Sequence, residues 1–292
     1  MNDIRGKSRT YRIDALLPGE IARKAETIGA NKALMDFASL MVLAVLAGAF
    51  IGLGAMFATT VMAGAEDMLP FGVSRLIAGL VFCLGLILVV VGGAELFTGN
   101  TLMVMALAAR KITLSEMLRA WTIVYMGNFV GAFGTAVLVL LSGQYQTGSG
   151  SVATVALSLA MAKATLPFDQ ALFLGVLCNV LVCLAVWLSL GARSTSDKVL
   201  AILFPVSAFV AAGFEHSVAN MYLIPLGLLI KAWAPSSLWA QIAIQPGDLA
   251  GLTWSGLFWN LLPVTLGNVI GGGVLVGAVY WFVYLRGGRE ER

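Results

Sequence analysis

Two stretches decide the reading of this chain: Gly93-Ala94-Glu95-Leu96-Phe97-Thr98-Gly99-Asn100 and Gly213-Phe214-Glu215-His216-Ser217-Val218-Ala219-Asn220. Both follow the pattern GxExxxxN, and each lies inside a long apolar run, 71–109 and 199–230. The second holds the one histidine of the protein. A charged side chain at hydrocarbon depth costs about 2.5–3.5 kcal/mol on insertion scales, so such groups face a cavity or a partner. Glycine followed by Glu, Thr or His, and Asn predicts a helix that breaks. Irregular backbone at that depth is tolerated only where protein buries it or a cavity hydrates it.

The setting supports membrane depth. Of 292 residues, 59% are hydrophobic and 11% are charged, with a mean hydropathy of +0.91. Soluble domains carry about 25% charged residues. The net charge of +3 is small, and the basic residues sit in tails and loops without interleaved aromatics, so nothing points to nucleic acid. Cys83, Cys178 and Cys183 fall inside apolar spans without CxxC spacing, which argues against a disulfide framework and a metal site. The first 33 residues carry seven Lys/Arg and no apolar core of a secretory signal.

Read in order, residues 1–33 form a cytoplasmic segment with a short amphipathic helix at 20–25, Pro18 near its first turn, lying on the membrane surface. Spans are expected at 34–63, 71–109 (broken), 118–141, 168–190, 199–230 (broken) and 257–285. Gly48, Gly52 and Gly54 suit close packing in the first. Residues 142–167 and 231–253 read as loops, Ser196 or Asp197 as a helix cap, and 286–292 as a charged cytoplasmic tail. Fifteen basic residues fall on the side of both termini. Three (Arg75, Lys163, Lys231) fall on the other, so both termini are expected to be cytoplasmic.

The halves repeat. Besides GxExxxxN, Gly127-Asn128-Phe129-Val130-Gly131 in the third span matches Gly267-Asn268-Val269-Ile270-Gly271 in the sixth. With three spans per half (about 34–142 and 168–285), the second half is inserted upside-down. The expected fold is therefore an all-α membrane protein of six transmembrane helices in two inverted three-helix repeats, with the second and fifth helices broken. Paired interruptions in such a plan point to a site at the midplane. Half-helix starts favour anions. Thr98 and His216 add donors, and imidazole also transfers protons near neutral pH. Glu95 and Glu215 are expected to brace the breaks by accepting freed backbone N–H groups, with Asn100, Asn220, Asn128 and Asn268 as further braces. Asn179, alone in the fourth span, is in a position to bond across to a break, including to His216. Phe82, Leu86, Leu96, Phe97 and Phe209 flank the breaks, as core residues or as dry gates.

The stretches GAELFTGNTLMV (93–104), CNVLVCLAVWLS (178–189), AAGFEHSVANMYLIPLG (211–227) and NLLPVTLGNVIGGG (260–273) resemble the formate–nitrite transporter family, and the resemblance runs from Leu16 to Leu285. It implies a homopentamer of aquaporin-like protomers in the bacterial cytoplasmic (inner) membrane, each with its own pore and no cofactor. It makes His216 the central histidine and Thr98 the threonine of the flexible loop in the broken helix. Asn179 and Asn268 stand with them along the path. Apolar constrictions would lie at Phe82 and Phe209 on the periplasmic side and at Leu86, Leu96 and Phe97 toward the cytoplasm. Lys163 would be the lysine that attracts anions. The start, the 68–72 and 142–145 turns and the final glycines lean toward formate channels. Thr98-Gly99-Asn100-Thr101 and Ala162-Lys163-Ala164-Thr165 lean toward nitrite channels.

A bare anion pays heavily to cross a dry constriction, and its neutral acid pays far less. The expected partners are therefore a small monovalent anion, formate before nitrite or hydrosulfide, and protons. Lys163 would concentrate the anion, and His216 would hydrogen-bond it or supply a proton. Aquaporin-type channels carry paired NPA motifs, and ammonia channels favour twin histidines; neither is present. There is no GxxxxGK[ST], HExxH or GxSxG, so neither an ATP-driven pump nor an intramembrane enzyme is expected.

Overall fold

The computed structural model describes residues 15–65 and 68–287, and these are helical apart from short connections. Ten helices organise it: α1 (Pro18–Ala33), α2 (Phe37–Met62), α3 (Phe71–Gly92), α4 (Phe97–Ala108), α5 (Leu114–Ser142), α6 (Ser151–Ala164), α7 (Phe168–Gly191), α8 (Thr195–Ala211), α9 (Ser217–Trp233) and α10 (Trp254–Tyr284). Among the described residues five helices, α2, α3, α5, α7 and α10, are long and apolar enough to cross a membrane. The run at 199–230 contributes no single span of that length. Its break divides it into α8 and α9, each of 17 residues.

The two halves pack in parallel ways. Helix α2 lies against α3 and α5, and α7 lies against α8 and α10. Small residues set these contacts. A methyl group on Gly48 or Gly131 would strike α5 or α2 backbone, and one on Gly267 or Gly271 would strike α7 backbone. In apolar surroundings close approach of this kind replaces the hydrophobic drive that water supplies elsewhere. Residues 269–278 of α10 form a π-helical stretch, and Gly272 within it packs on Thr101, Asn179 and Cys183.

Four expectations change. The loop at 142–167 contains α6, whose Ala160 packs on Gly227 of α9, so its Gly/Ser/Thr composition concealed a buried helix that carries Lys163. Helix α1 is 16 residues long rather than six. It packs on the protein through Ile21, Ala22 and Ala25, and Glu26 pairs with Lys111 at 2.9 Å. The cap of α8 is Ser194, with Asp197 three residues on closing a capping box. The short turns Ser236–Trp239 and Pro246–Leu249 interrupt the 231–253 loop. At the start of α2, Asp36 accepts the Ser39 N–H at 3.0 Å, and this backbone bond holds its carboxyl below the usual carboxylate range. The basic residues within 1–14 and most of the expected C-terminal tail lie outside the described residues.

Candidate functional site

The two breaks are fastened by matching backbone and asparagine bonds. Helix α3 ends at Gly93 (φ +81°) and α8 is followed by Gly213 (φ +75°), left-handed conformations that glycine adopts without the Cβ penalty. Beyond each turn the chain crosses to a neighbour: the Glu95 N–H donates to Leu43 C=O at 3.1 Å, and the Glu215 N–H donates to Leu174 C=O at 3.3 Å. Asparagines from the GNxxG motifs then fasten each crossing. Asn128 Oδ1 accepts the Phe97 N–H at 2.9 Å, and its Nδ2 donates to Ala44 and Glu95 carbonyls at 2.8 and 2.9 Å. Asn268 Oδ1 accepts the Ser217 N–H at 3.0 Å, and its Nδ2 donates to Gly175 and Glu215 carbonyls at 2.8 and 3.0 Å. Backbone groups freed by a break and buried in protein must find such partners.

The carboxylates have a different task from the one expected. Glu95 and Glu215 accept side-chain donors, while the asparagines take the freed N–H groups at Phe97 and Ser217. Glu95 Oε2 accepts Asn100 Nδ2 at 2.9 Å and pairs with Lys32 of α1 at 3.0 Å. Glu215 Oε2 accepts Asn220 Nδ2 at 2.6 Å, and its Oε1 pairs with Lys163 of α6 at 2.6 Å. Each break therefore carries a Lys–Glu–Asn cluster whose charges cancel locally. Lys32 and Asn260, which accepts Asn220 Nδ2 at 2.7 Å, were not picked out from sequence. Lys32 sits among other basic residues of the N-terminal segment, and Asn260 stands eight residues before Asn268 without a motif of its own.

Two cavities adjoin the breaks. One, of about 220 Å³, is lined by Lys32, Leu86, Glu95, Leu96, Gly99 and Asn100, and α1 forms part of its wall. The other, of about 280 Å³, is lined by Arg75, Phe82, Lys163, Phe209, Glu215 and His216. Thr98, fully buried between residues that line the first cavity, places its Oγ1 2.9 Å from Nε2 of His216, which lines the second. Thr98 itself lines neither cavity, so the contact lies between them. Phe82 and Phe209 meet edge to face at 5.7 Å, and the His216 ring lies nearly parallel to Phe209 at 6.0 Å.

His216 is also the N-cap of α9: its Nδ1 accepts the Ala219 N–H at 3.1 Å. An unprotonated Nδ1 leaves the neutral ring with its hydrogen on Nε2, donating toward Thr98. Protonating Nδ1 would give up the cap. Asn179 reaches the first break rather than His216. Its Nδ2 lies 3.2 Å from the Thr98 carbonyl, 3.1 Å from Thr101 Oγ1 and 2.6 Å from the Asn268 carbonyl. Asn179 and Asn268 are fully buried and line neither cavity. Phe97 also lines neither, packing edge to face on Trp121 and Tyr125 at 6.0 and 5.0 Å.

Comparison with known proteins identifies relatives of the whole chain. Residues 19–282 match the family described as Formate/nitrite transporter. The chain is 44% identical over 274 residues to formate channel FocA of Escherichia coli (strain K12), covering 94% of this chain and 96% of that one. It is 40% identical to formate channel FocA of Haemophilus influenzae (strain ATCC 51907 / DSM 11121 / KW20 / Rd), covering 90% and 93%. A solved structure described as a pentameric formate channel with formate bound superposes with a TM-score of 0.81 at 44% identity, covering 86% of this chain and 98% of that chain. Matched over nine-tenths of its length by such relatives, the chain is a multi-pass membrane protein that belongs to the formate/nitrite transporter family.

Proposed function

We propose that the protein is a homopentameric formate channel of the bacterial cytoplasmic membrane, with both termini cytoplasmic and one pore per protomer. In this reading α2–α5 and α7–α10 are two inverted halves of six spans around an aquaporin-like path. Its second and fifth spans are the α3–α4 and α8–α9 pairs, and α6 packs beside the second half. The observation that carries it is the Thr98–His216 contact, which links two matched helix breaks, each with a cavity beside it.

Leu86 and Leu96 on one side and Phe82 and Phe209 on the other form the dry walls. A carboxylate passing between them loses water, and the Thr98 hydroxyl and His216 Nε2–H replace part of it. The start of α4, where Asn128 takes the Phe97 N–H and Leu96 supplies no side-chain cap, adds the favourable end of a helix dipole. Phe97, Asn179 and Asn268 act from behind, holding the break that carries Thr98 and the half-helix that carries His216. Passage is passive under this arrangement. A proton relay through His216 requires the Ala219 N–H to lose its acceptor, so coupling to protons belongs to conditions acid enough to offset that loss.

The test is flux of formate, nitrite and hydrosulfide into vesicles holding purified protein, at two pH values. Replacing His216 by Phe removes the donor. At about 1.5–3 kcal/mol for a hydrogen bond to a charged group, formate flux at neutral pH is expected to fall roughly 10–100-fold. His216→Gln keeps an N–H donor without titration and is expected to retain more flux than His216→Phe. Full native flux in His216→Phe would overturn the proposal. Loss of the acid-side rise in His216→Gln would assign the proton step to the imidazole.

A further inference from the structure

The charges lining the two cavities do not balance in the same way. In the first, Lys32 and Glu95 are the charged groups and they pair with each other. In the second, Lys163 and Glu215 pair at 2.6 Å, the closer of the two contacts, and Arg75 remains. Among the described residues no carboxylate lies within ion-pair distance of Arg75. The third cation expected on this side, Lys231, donates to Leu249 and Leu252 carbonyls and does not line the cavity.

Arg75 is held in place without being neutralised. It projects from the first turns of α3 toward the end of α8. There Nη2 donates to the Val210 carbonyl at 2.8 Å and Nε donates to the Ala211 carbonyl at 3.4 Å. A Cβ on Gly213 would stand 3.2 Å from Nη2, so the guanidinium lies directly against the second break. These carbonyls are the partly negative end of a helix, which suits a cation and leaves its formal charge intact. Of the five guanidinium N–H groups two are used, and the rest are available to the cavity.

We infer that Arg75, rather than Lys163, supplies the net positive field that draws the anion into the cavity on the His216 side. The inference rests on the channel reading above and deepens it. Lys163 and Glu215 form a neutral brace for the break, and Arg75 is the recruiting charge. One unit charge roughly 10 Å from an anion, in a setting between bulk water and protein interior, changes local anion concentration about two- to fivefold. At about 1 M salt the Debye length falls to about 3 Å and the effect disappears.

The experiment compares the native protein with Arg75→Gln and Arg75→Lys in vesicles. Initial formate flux is measured against formate concentration at low and high ionic strength. Glutamine keeps a donor for the Val210 carbonyl and removes the charge. The expected result is a half-saturating formate concentration raised two- to fivefold in Arg75→Gln at low salt. Native and variant converge at high salt, and Arg75→Lys keeps the salt dependence that Arg75→Gln loses. Arg75→Gln with the native salt dependence would overturn the inference, as would equal loss of that dependence in Arg75→Lys. Native flux indifferent to ionic strength would also overturn it, whether or not the glutamine variant folds. A native protein that passes no small anion would fail the channel reading and this inference together. Native flux with an unaffected Arg75→Gln would fail this inference alone.

Discussion

Replacing Asn268 by alanine tests whether the asparagines, rather than the glutamates, hold the breaks. The fully buried carboxamide makes three bonds to backbone: from Ser217 N–H at 3.0 Å, to Gly175 C=O at 2.8 Å and to Glu215 C=O at 3.0 Å. Alanine strands the Ser217 N–H and the Glu215 carbonyl, while the Gly175 carbonyl keeps its bond inside α7. Each stranded group costs about 1–3 kcal/mol, so the sum is about 2–6 kcal/mol. That is a large part of a whole folding stability of about 5–15 kcal/mol. With roughly 2–4 °C per kcal/mol for a chain of 150–250 residues, even the lower bound lowers the melting temperature by roughly 4–8 °C. Asn128→Ala strands the Phe97 N–H and the Glu95 carbonyl in the same way and is expected to match it. Asn100→Ala is the control. Its carboxamide serves Glu95 and Lys32, which still meet each other at 3.0 Å, so the expected loss is about 1 kcal/mol. The assay is thermal unfolding of purified protein in detergent at one scan rate, with assembly followed on native gels. Asn268→Ala melting within about 3 °C of native, or Asn100→Ala falling as far as Asn268→Ala, would refute the reasoning.

Lys163 and Glu215 have side chains 15% and 5% exposed, so Lys163→Met or Glu215→Gln alone is expected to cost about 3–5 kcal/mol by leaving one partner buried and unmatched. The double variant should recover more than half of the summed loss, and simple additivity in the same melting assay would contradict the pairing. Gly272→Ala would press a methyl group onto Thr101 Oγ1 and Asn179 Nδ2, at an expected cost of about 1–3 kcal/mol. Gly134→Ala, with open space around its would-be Cβ, should melt within about 1 °C of native or slightly above it, as suits a helix interior. Asp36 titrates below the usual carboxylate range in the folded protein, so its cap adds stability above that range and loses it as pH falls through the folded value. Asp36→Asn, which keeps an acceptor for Ser39, is expected to flatten that part of the acid-side stability profile.

How much of this was legible in the sequence depends on whether a residue's partner was local or distant. The breaks were visible because Gly93 and Gly213 sit in apolar runs, where few other residue types turn a helix without penalty. The pairing of GxExxxxN with GNxxG was also visible as a repeat, and Asn128 and Asn268 do fasten the breaks. The division of labour was not, because whether Glu215 meets a backbone N–H or an ammonium depends on α6. That helix read as a loop: its residues are small and its buried face is matched to Gly227 rather than to a periodic apolar stripe. Lys32 was hidden for a similar reason, since α1 packs on the protein where the sequence suggested a surface-bound segment. The π-helical stretch leaves only a glycine-rich composition as a trace, which equally suits a straight, tightly packed helix.

The same correspondence shows where the two halves differ. Positions 96 and 216 are both N-caps, of α4 and α9, and positions 98 and 218 each follow two residues later. In one combination Thr98 meets His216. The equivalent combination would bring Val218 toward Leu96, both buried and both apolar. A frame whose asparagine braces repeat therefore carries a polar pair at one of these combinations and two apolar residues at the other. Leu96 leaves the start of α4 without a side-chain cap, whereas His216 caps α9 with one nitrogen and turns the other toward Thr98. In the channel proposed above, this asymmetry would set two different groups toward the anion on either side of the Thr98–His216 contact: a helix start that its own first residue does not cap, and a hydrogen-bonding ring.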